Sequence, residues 1–245
     1  MPKAVSIDRI ILSTRRCAMN PNNADYPYSP ATQVQTFIQR VYQWMAAGLA
    51  LTGLTALGTA SNEGLLHALA GGGFLLLMLV ELGLVIWLSA SVLKISAQAA
   101  MLGFLAYSVL NGLTLSFIFV AYTGASIANT FFITAASFAG VSLFGWATKT
   151  DLSSLRGYLF MGLMGVIVAS VANLFFHNPA FEWILSYVGL AVFIGLTAAD
   201  TQRLKAIHQS GAGALEQVAI LGALQLYLDF INMFLLLLRL FGRRR

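Results

Sequence analysis

Two aspartates stand inside apolar stretches near the end of the chain, where their carboxyl groups could hold a proton or a cation. Asp200 lies in LTAADTQRLK (196–205), and Asp229 lies near the middle of LQLYLDFINMFLLLLRLFGRRR (224–245). A carboxylate at the centre of a bilayer costs about 2.5–3.5 kcal/mol on insertion scales, so such a residue usually has a task and a partner. We interpret Asp200 and Asp229 as partners of each other.

Two carboxyl groups in contact cannot both ionise cheaply, and we therefore expect this pair to share a proton. Such a pair can respond to pH near neutrality, and its oxygen atoms suit Ca²⁺, a hard cation. Asp200 and Asp229 are thus the candidate pH-sensing pair and the candidate Ca²⁺ ligands. The structural alternative is a hydrogen-bonded polar cluster that holds two helices together.

Polar residues at helical spacing surround both aspartates. Four of them lie three or four positions from an aspartate, on its own helical face: Thr197 and Arg203 around Asp200, and Gln225 and Asn232 around Asp229. Each helix then carries a polar stripe on an apolar cylinder. We expect the two stripes to face each other.

A third acidic residue, Glu81, lies within the apolar stretch MLVELGLVIWLS (78–89). Lys94 is too far along the chain to form a direct ion pair with it. Glu81 either binds a cation or stays protonated against a neighbouring helix, and we count it among the supporting polar residues. Ser108, Asn111 and Thr114 share a face of the next apolar stretch, where small polar residues are usually packing contacts.

The composition predicts a polytopic membrane protein. Of the 245 residues, 58% are hydrophobic and 9% are charged, against about 45–50% and about 25% in soluble domains. The net charge of +5 does not indicate nucleic-acid binding, because the basic residues lie in tails and loops. Cys17 is the single cysteine, and the three histidines fall between apolar stretches. We therefore expect no cofactor and no resident metal cluster, with the lipid bilayer as the main partner.

Seven apolar segments are long enough to span a bilayer at about 20 residues per helix. Their approximate limits are 39–60, 69–92, 98–122, 126–147, 157–176, 181–205 and 215–241. No proline falls inside them, and the connections are short. We predict an all-α bundle of seven transmembrane helices over residues 36–245, preceded by a disordered polar cytoplasmic tail over residues 1–35.

The charges of the connections predict the orientation. Basic and non-basic connections alternate through the first six segments, which favours a cytoplasmic N-terminus. The last segment breaks this pattern, because a full span would place Arg243, Arg244 and Arg245 outside. The alternative is a re-entrant segment that returns to the cytoplasmic side. We expect a full span, because the apolar run is long enough.

Four motifs resemble the bacterial branch of the Bax inhibitor-1 family. They are LTAADTQRLK (196–205), YLDFINMFLLLLRLFG (227–242), YSVLNGLTLSFIF (107–119) and the connection TKTDLSSLRG (148–157). The resemblance covers residues 35–245. It implies a seven-helix bundle with the last helix central, in the bacterial inner membrane, and a pH-sensitive Ca²⁺ leak. Bacterial relatives include one that binds and modulates a membrane-bound ATP-dependent protease.

The resemblance also assigns residues. The paired aspartates of the family map onto Asp200 and Asp229, and the acid of its second span maps onto Glu81. Some members carry an arginine near the cytoplasmic end of the second span that latches onto the aspartate, whereas this chain has Val92 and Lys94 there. Gating then rests on the aspartate pair alone, or Arg203 serves locally.

The main hypothesis is a cation leak pathway sensed by the aspartate pair, with no enzymatic activity. The alternative is a regulator that binds a membrane protease or another membrane complex and transports nothing. An intramembrane aspartyl protease is disfavoured, because Tyr227 and Leu228 precede Asp229 where that class needs a GxGD context, and no proline follows Pro179. A retinal protein is disfavoured because the last segment has no lysine.

Overall fold

The computed structural model describes residues 30–70, 72–209 and 216–245. The chain divides into residues 1–36 and residues 37–245, and the description below concerns the second unit. The predicted tail over residues 1–35 lies almost wholly outside the described residues. Across the described ranges the chain is helical, without a strand, and its one β-bridge joins Tyr122 to Arg244.

The described residues form nine helices in chain order. They are α1 (Pro30–Ala60), α2 (Glu63–Leu69), α3 (Gly72–Ser91), α4 (Ala97–Leu115), α5 (Ile118–Ala121), α6 (Gly124–Ala147), α7 (Ser153–Phe176), α8 (Pro179–Gln209) and α9 (Glu216–Phe241). Short polar caps begin several of them. The Asn62, Ser96 and Thr123 side chains accept hydrogen bonds from the first turns of α2, α4 and α6.

Six helical stretches in the described ranges are long and apolar enough to cross a membrane. They are Gly72–Ser91, Ala97–Ala121, Gly124–Ala147, Ser153–Phe176, Pro179–Ile207 and Glu216–Phe241. They correspond to the second to seventh predicted segments, so the protein is an all-α, multi-pass membrane protein. The predicted first segment, 39–60, lies in α1, where repeated glycines and threonines lower the hydropathy. A count of seven spans stays a prediction.

The last helix is the most buried one. Sixteen of the 26 residues of α9 are buried, whereas α7 contains no buried residue. Helix α9 packs against α8, α6 and α4. Large apolar side chains such as Leu75, Phe132 and Phe175 are exposed on the outer helices. This distribution suits a bundle whose outside faces lipid and whose centre is α9.

Contacts near the ends of the helices define the two ends of the bundle. At the first end, which we call the basic end, Lys205 donates a hydrogen bond to the Trp146 carbonyl at 2.8 Å, and Gln217 donates to the Ile95 carbonyl at 3.3 Å. We call the opposite end the C-terminal end. There the Thr123 amide donates a hydrogen bond to the Arg243 carbonyl at 3.2 Å. Connections predicted to be basic thus meet at one end.

The same contacts bear on the last segment. Helix α9 begins beside Ile95 at the basic end and runs without a break to Phe241 beside residues 121–126 at the C-terminal end. A re-entrant segment would return to its starting end, and α9 does not. The full span is therefore the arrangement that the described residues adopt.

Candidate functional site

Asp200 on α8 pairs with Arg156 in the first turn of α7. The Arg156 Nε atom donates to Asp200 Oδ1 at 2.6 Å, and the Asp200 side chain is only 7% exposed. A short, charge-assisted hydrogen bond of this kind is among the stronger polar contacts in proteins. Asp200 therefore has a counter-charge within direct reach.

Gln202 holds the connection that carries Arg156. Its Oε1 atom accepts a hydrogen bond from the Leu152 amide at 2.8 Å, and its Nε2 atom donates to the Thr150 carbonyl at 2.8 Å. Helix α6 leads into this connection and packs closely on α8. Gly145 permits this contact, because a Cβ atom at that position would clash with the Ala198 backbone. One segment of α8 thus positions both members of the ion pair.

Asp151 organises the start of α7 in the same connection. Its carboxylate accepts hydrogen bonds from the Ser153 amide and the Ser153 hydroxyl, each at 2.9 Å. The backbone hydrogen bond, followed by the hydroxyl one, lowers the pKa of Asp151 below its ordinary value. Arg156 lies one turn further along and extends from this fixed start.

Asp229 lies halfway along α9 and is buried. The residue is 5% exposed, and its Oδ2 atom has no hydrogen-bond partner in the part of the chain that the structure describes. It lies within electrostatic range of Asp200 and Arg156. A buried polar group without a partner is costly, so an orphaned carboxylate oxygen in a well-packed helix calls for an explanation.

A cavity of about 540 Å³ joins the two aspartates, and we call it the aspartate cavity. It is bounded by α7, α8 and α9. Its polar lining consists of Arg156, Ser170, Asp200, Gln225, Asp229, Asn232 and Arg239. Four residues predicted from the sequence, namely Asp200, Asp229, Gln225 and Asn232, therefore line one space. Of the three polar residues predicted to form a stripe on α8, Asp200 is the one in this lining.

Thr197 and Arg203, the other two predicted residues of α8, do not line the aspartate cavity. Thr197 is fully buried one turn before Asp200, where its hydroxyl donates to the Phe193 carbonyl at 2.8 Å. Arg203 is exposed and does not line the aspartate cavity. Of the two alternatives for gating, a local role of Arg203 has no contact with Asp200 to support it among the described residues. The arginine beside Asp200 is Arg156, at the start of α7.

Glu81 lies in a second polar cluster. Its Oε2 atom accepts a hydrogen bond from Thr114 Oγ1 at 2.8 Å, and its Oε1 atom accepts from Asn111 Nδ2. The Tyr227 hydroxyl lies 3.1 Å from Asn111 Oδ1 and 2.7 Å from Thr52 Oγ1. We call these five residues the Glu81 network. It links α1, α3, α4 and α9, and Glu81 does not line the aspartate cavity.

Sequence reasoning missed two residues of these clusters. Arg156 lies in the motif TKTDLSSLRG (148–157), and nothing in its spacing indicates a contact with Asp200. Tyr227 opens the motif that contains Asp229, and nothing in its spacing indicates a hydrogen bond to Asn111. Asn111 and Thr114 were expected to be packing contacts, and they donate hydrogen bonds to a carboxylate instead.

The lining of the aspartate cavity contains two carboxyl groups and two guanidinium groups. Arg156 compensates Asp200, and Arg239, the other arginine in the lining, is also 3.5 Å from Glu182 at the C-terminal end. Asp229 has no ion-pair partner among the described residues.

Comparison with known proteins gives matches over almost the whole chain. The family model described as "Inhibitor of apoptosis-promoting Bax1" matches residues 34–245. Inner membrane protein YbhL of Escherichia coli (strain K12) is 45% identical over 228 residues, covering 91% of this chain and 97% of that protein. An uncharacterized protein of Borreliella burgdorferi is 40% identical over 214 residues, covering 85% of this chain and 92% of its own. An uncharacterized membrane protein of Streptococcus pyogenes serotype M1 is 42% identical over 166 residues, or 67% of this chain and 72% of its own.

Proposed function

The chain belongs to the Bax inhibitor-1 family of membrane proteins, and we propose that it is a pH-sensitive calcium leak channel of the bacterial inner membrane. The aspartate cavity is the proposed sensor and cation site. The inner-membrane location agrees with the name of the Escherichia coli relative. The N-terminus lies in the cytoplasm in this proposal, with the basic end facing the same side, in accordance with the loop charges.

The observation that carries the proposal is the state of Asp229. This carboxylate is buried, and its Oδ2 atom has no partner among the described residues, beside an ion pair that is already complete. With a proton on Asp229, the cavity next to Arg156 and Asp200 has no excess charge. Loss of that proton leaves one negative charge that a cation can balance. The proton and the cation therefore compete for one position.

Ca²⁺ passes through this site as the transported ion. Two carboxylates and the amide oxygens of Gln225 and Asn232 contain six oxygen atoms, and Asp200 Oδ1 is already bound to Arg156. The remaining five are fewer than the six to eight oxygen ligands that Ca²⁺ usually takes. An incomplete ligand set binds weakly enough to release the ion, which transport requires. The proposal therefore includes no resident metal, no cofactor and no catalytic step.

The test is Ca²⁺ entry into liposomes that contain the purified protein, measured from about pH 6 to 8. We expect the flux of the wild type to depend on pH, and both Asp200→Asn and Asp229→Asn to remove that dependence. Glu81→Gln is the matched control, because it neutralises a carboxylate that does not line the cavity, and it should keep the wild-type profile.

Two outcomes would overturn the proposal. The first is a folded wild type with no flux above empty liposomes, which would favour the alternative of a regulator that binds a membrane protease or another membrane complex. The second is a pH dependence that Glu81→Gln removes and Asp229→Asn keeps. That result would move the sensor to the Glu81 network.

A further inference from the structure

The aspartate cavity is much larger than a metal ion needs. Its volume of about 540 Å³ lies within the range of about 300–1,000 Å³ that is typical of sites for small organic ligands. Most of its lining is apolar, with side chains such as Leu163, Val166, Phe193, Leu228 and Leu235. A hydrated or bare Ca²⁺ would leave this apolar surface without a complementary partner.

The α7 wall of the cavity faces outward. Phe160, Ile167 and Val171 line the cavity and are 58%, 46% and 52% exposed. In a bilayer these exposed surfaces contact lipid, since α7 contains no buried residue. A hydrophobic molecule dissolved in the membrane can therefore approach the cavity along α7 without first passing through water.

The acidic group without an ion-pair partner that such a molecule would meet is the side chain of Asp229, which lines the cavity. Asp200 already receives the Arg156 guanidinium, while Asp229 Oδ2 has no hydrogen-bond partner among the described residues. Asp229 is also halfway along the 26-residue α9, roughly 20 Å from either end at 1.5 Å per residue. The charged headgroup of a membrane lipid stays near the surface and does not reach this depth.

We propose that the aspartate cavity binds a hydrophobic organic monocation, such as an ammonium or phosphonium ion with an apolar body. The positive charge lies against Asp229, and the apolar body fills the space between α7 and α9. The inference rests on the proposed function in one respect, that Asp229 is the cation-binding carboxylate, and it adds a ligand class to that site.

Binding of the organic cation requires Asp229 in its ionised form. The charged groups that face this position are Asp200 on α8, Arg156 at the start of α7 and Arg239 further along α9. The two arginines disfavour a second cation, so one monocation per chain is the expected stoichiometry.

The experiment is equilibrium dialysis of tetraphenylphosphonium against the full chain in lipid nanodiscs at about pH 8. We expect one saturable site per chain. Asp229→Asn should weaken binding by about tenfold or more, since an ionic contact is lost. Val166→Phe, which reduces the cavity but keeps all its charges, should also weaken binding. Glu81→Gln should bind as the wild type does.

Equal binding by wild type and Asp229→Asn, with both proteins folded, would overturn the inference, because uptake would then be partition into the lipid. Calcium flux measured on the same preparations separates the two proposals. Flux that depends on Asp229 without saturable organic-cation binding rejects only this inference. Saturable binding that depends on Asp229 in a protein with no Ca²⁺ flux supports this inference and rejects the leak channel.

Discussion

The aspartate cavity and the Glu81 network both contain a carboxyl group within the membrane-spanning part, but they treat it in opposite ways. Both carboxylate oxygens of Glu81 accept hydrogen bonds, from Asn111 and Thr114. Asp229 has an oxygen with no partner in the described chain. Helix α9 contributes to both regions, because Tyr227 and Asp229 are two residues apart and project to different sides of the helix.

This difference separates two uses of a buried acid. Satisfied polar networks fix the arrangement of the helices that contribute to them, and the Glu81 network joins four helices. A buried carboxylate oxygen without a partner costs free energy. In the function proposed above, the Glu81 network therefore belongs to the scaffold, and the aspartate cavity holds the proton or the cation.

Replacing the buried acid by leucine in each region should give the largest difference in stability. Glu81→Leu leaves the Asn111 amide without its acceptor and should destabilise the protein by about 1–3 kcal/mol. Asp229→Leu removes a buried carboxyl group whose Oδ2 atom has no partner among the described residues, and it should leave stability unchanged or raise it. Thermal unfolding in one neutral detergent measures both variants. A larger loss of stability for Asp229→Leu than for Glu81→Leu would contradict the assignment.

Arg156 gives a smaller effect within the aspartate cavity. Arg156→Gln leaves Asp200 without a counter-charge, and because the arginine is 35% exposed we expect a loss of about 1–2 kcal/mol in unfolding free energy. The double variant Arg156→Gln, Asp200→Asn should recover most of this loss, as both charges are then absent. Thermal unfolding of the four proteins forms a double-mutant cycle. Additive losses would show that the two side chains do not interact.

The sequence predicted much of this arrangement because its signals are local. An aspartate in an apolar run is visible within one helix, and so are Gln225 and Asn232 at helical spacing from Asp229. Arg156 could not be assigned in that way, because it comes from a connection 44 positions before Asp200. The contact of Tyr227 with Thr52 joins residues 175 positions apart. Such pairs depend on how the helices pack, which the spacing of residues within one helix does not encode.

The first predicted span shows a second limit of prediction from hydropathy. Residues 39–60 are long enough to cross a bilayer, but α1 contains the buried polar residues Thr52 and Thr59. Thr52 donates a hydrogen bond to the Ser108 carbonyl at 2.8 Å and contacts Tyr227. Threonines lower the hydropathy of α1, and Thr52 at the same time joins α1 to α4 and α9. A residue that lowers the hydropathy of this segment can therefore also hold it against the neighbouring helices.

The smallest expected effect concerns Asp151, the acidic residue of the connection that carries Arg156. Its pKa is lowered by hydrogen bonds from Ser153, so its stabilising contribution is present above the unfolded pKa of about 3.9 and is lost as the pH falls through the lower folded value. Asp151→Asn should therefore reduce the difference in melting temperature between about pH 6 and about pH 3. The variant should leave the flux profile between about pH 6 and 8 unchanged, because Asp151 remains ionised throughout that range. A flux profile that shifts in Asp151→Asn would mean that the position of Arg156, and not the proton on Asp229, sets the response to pH.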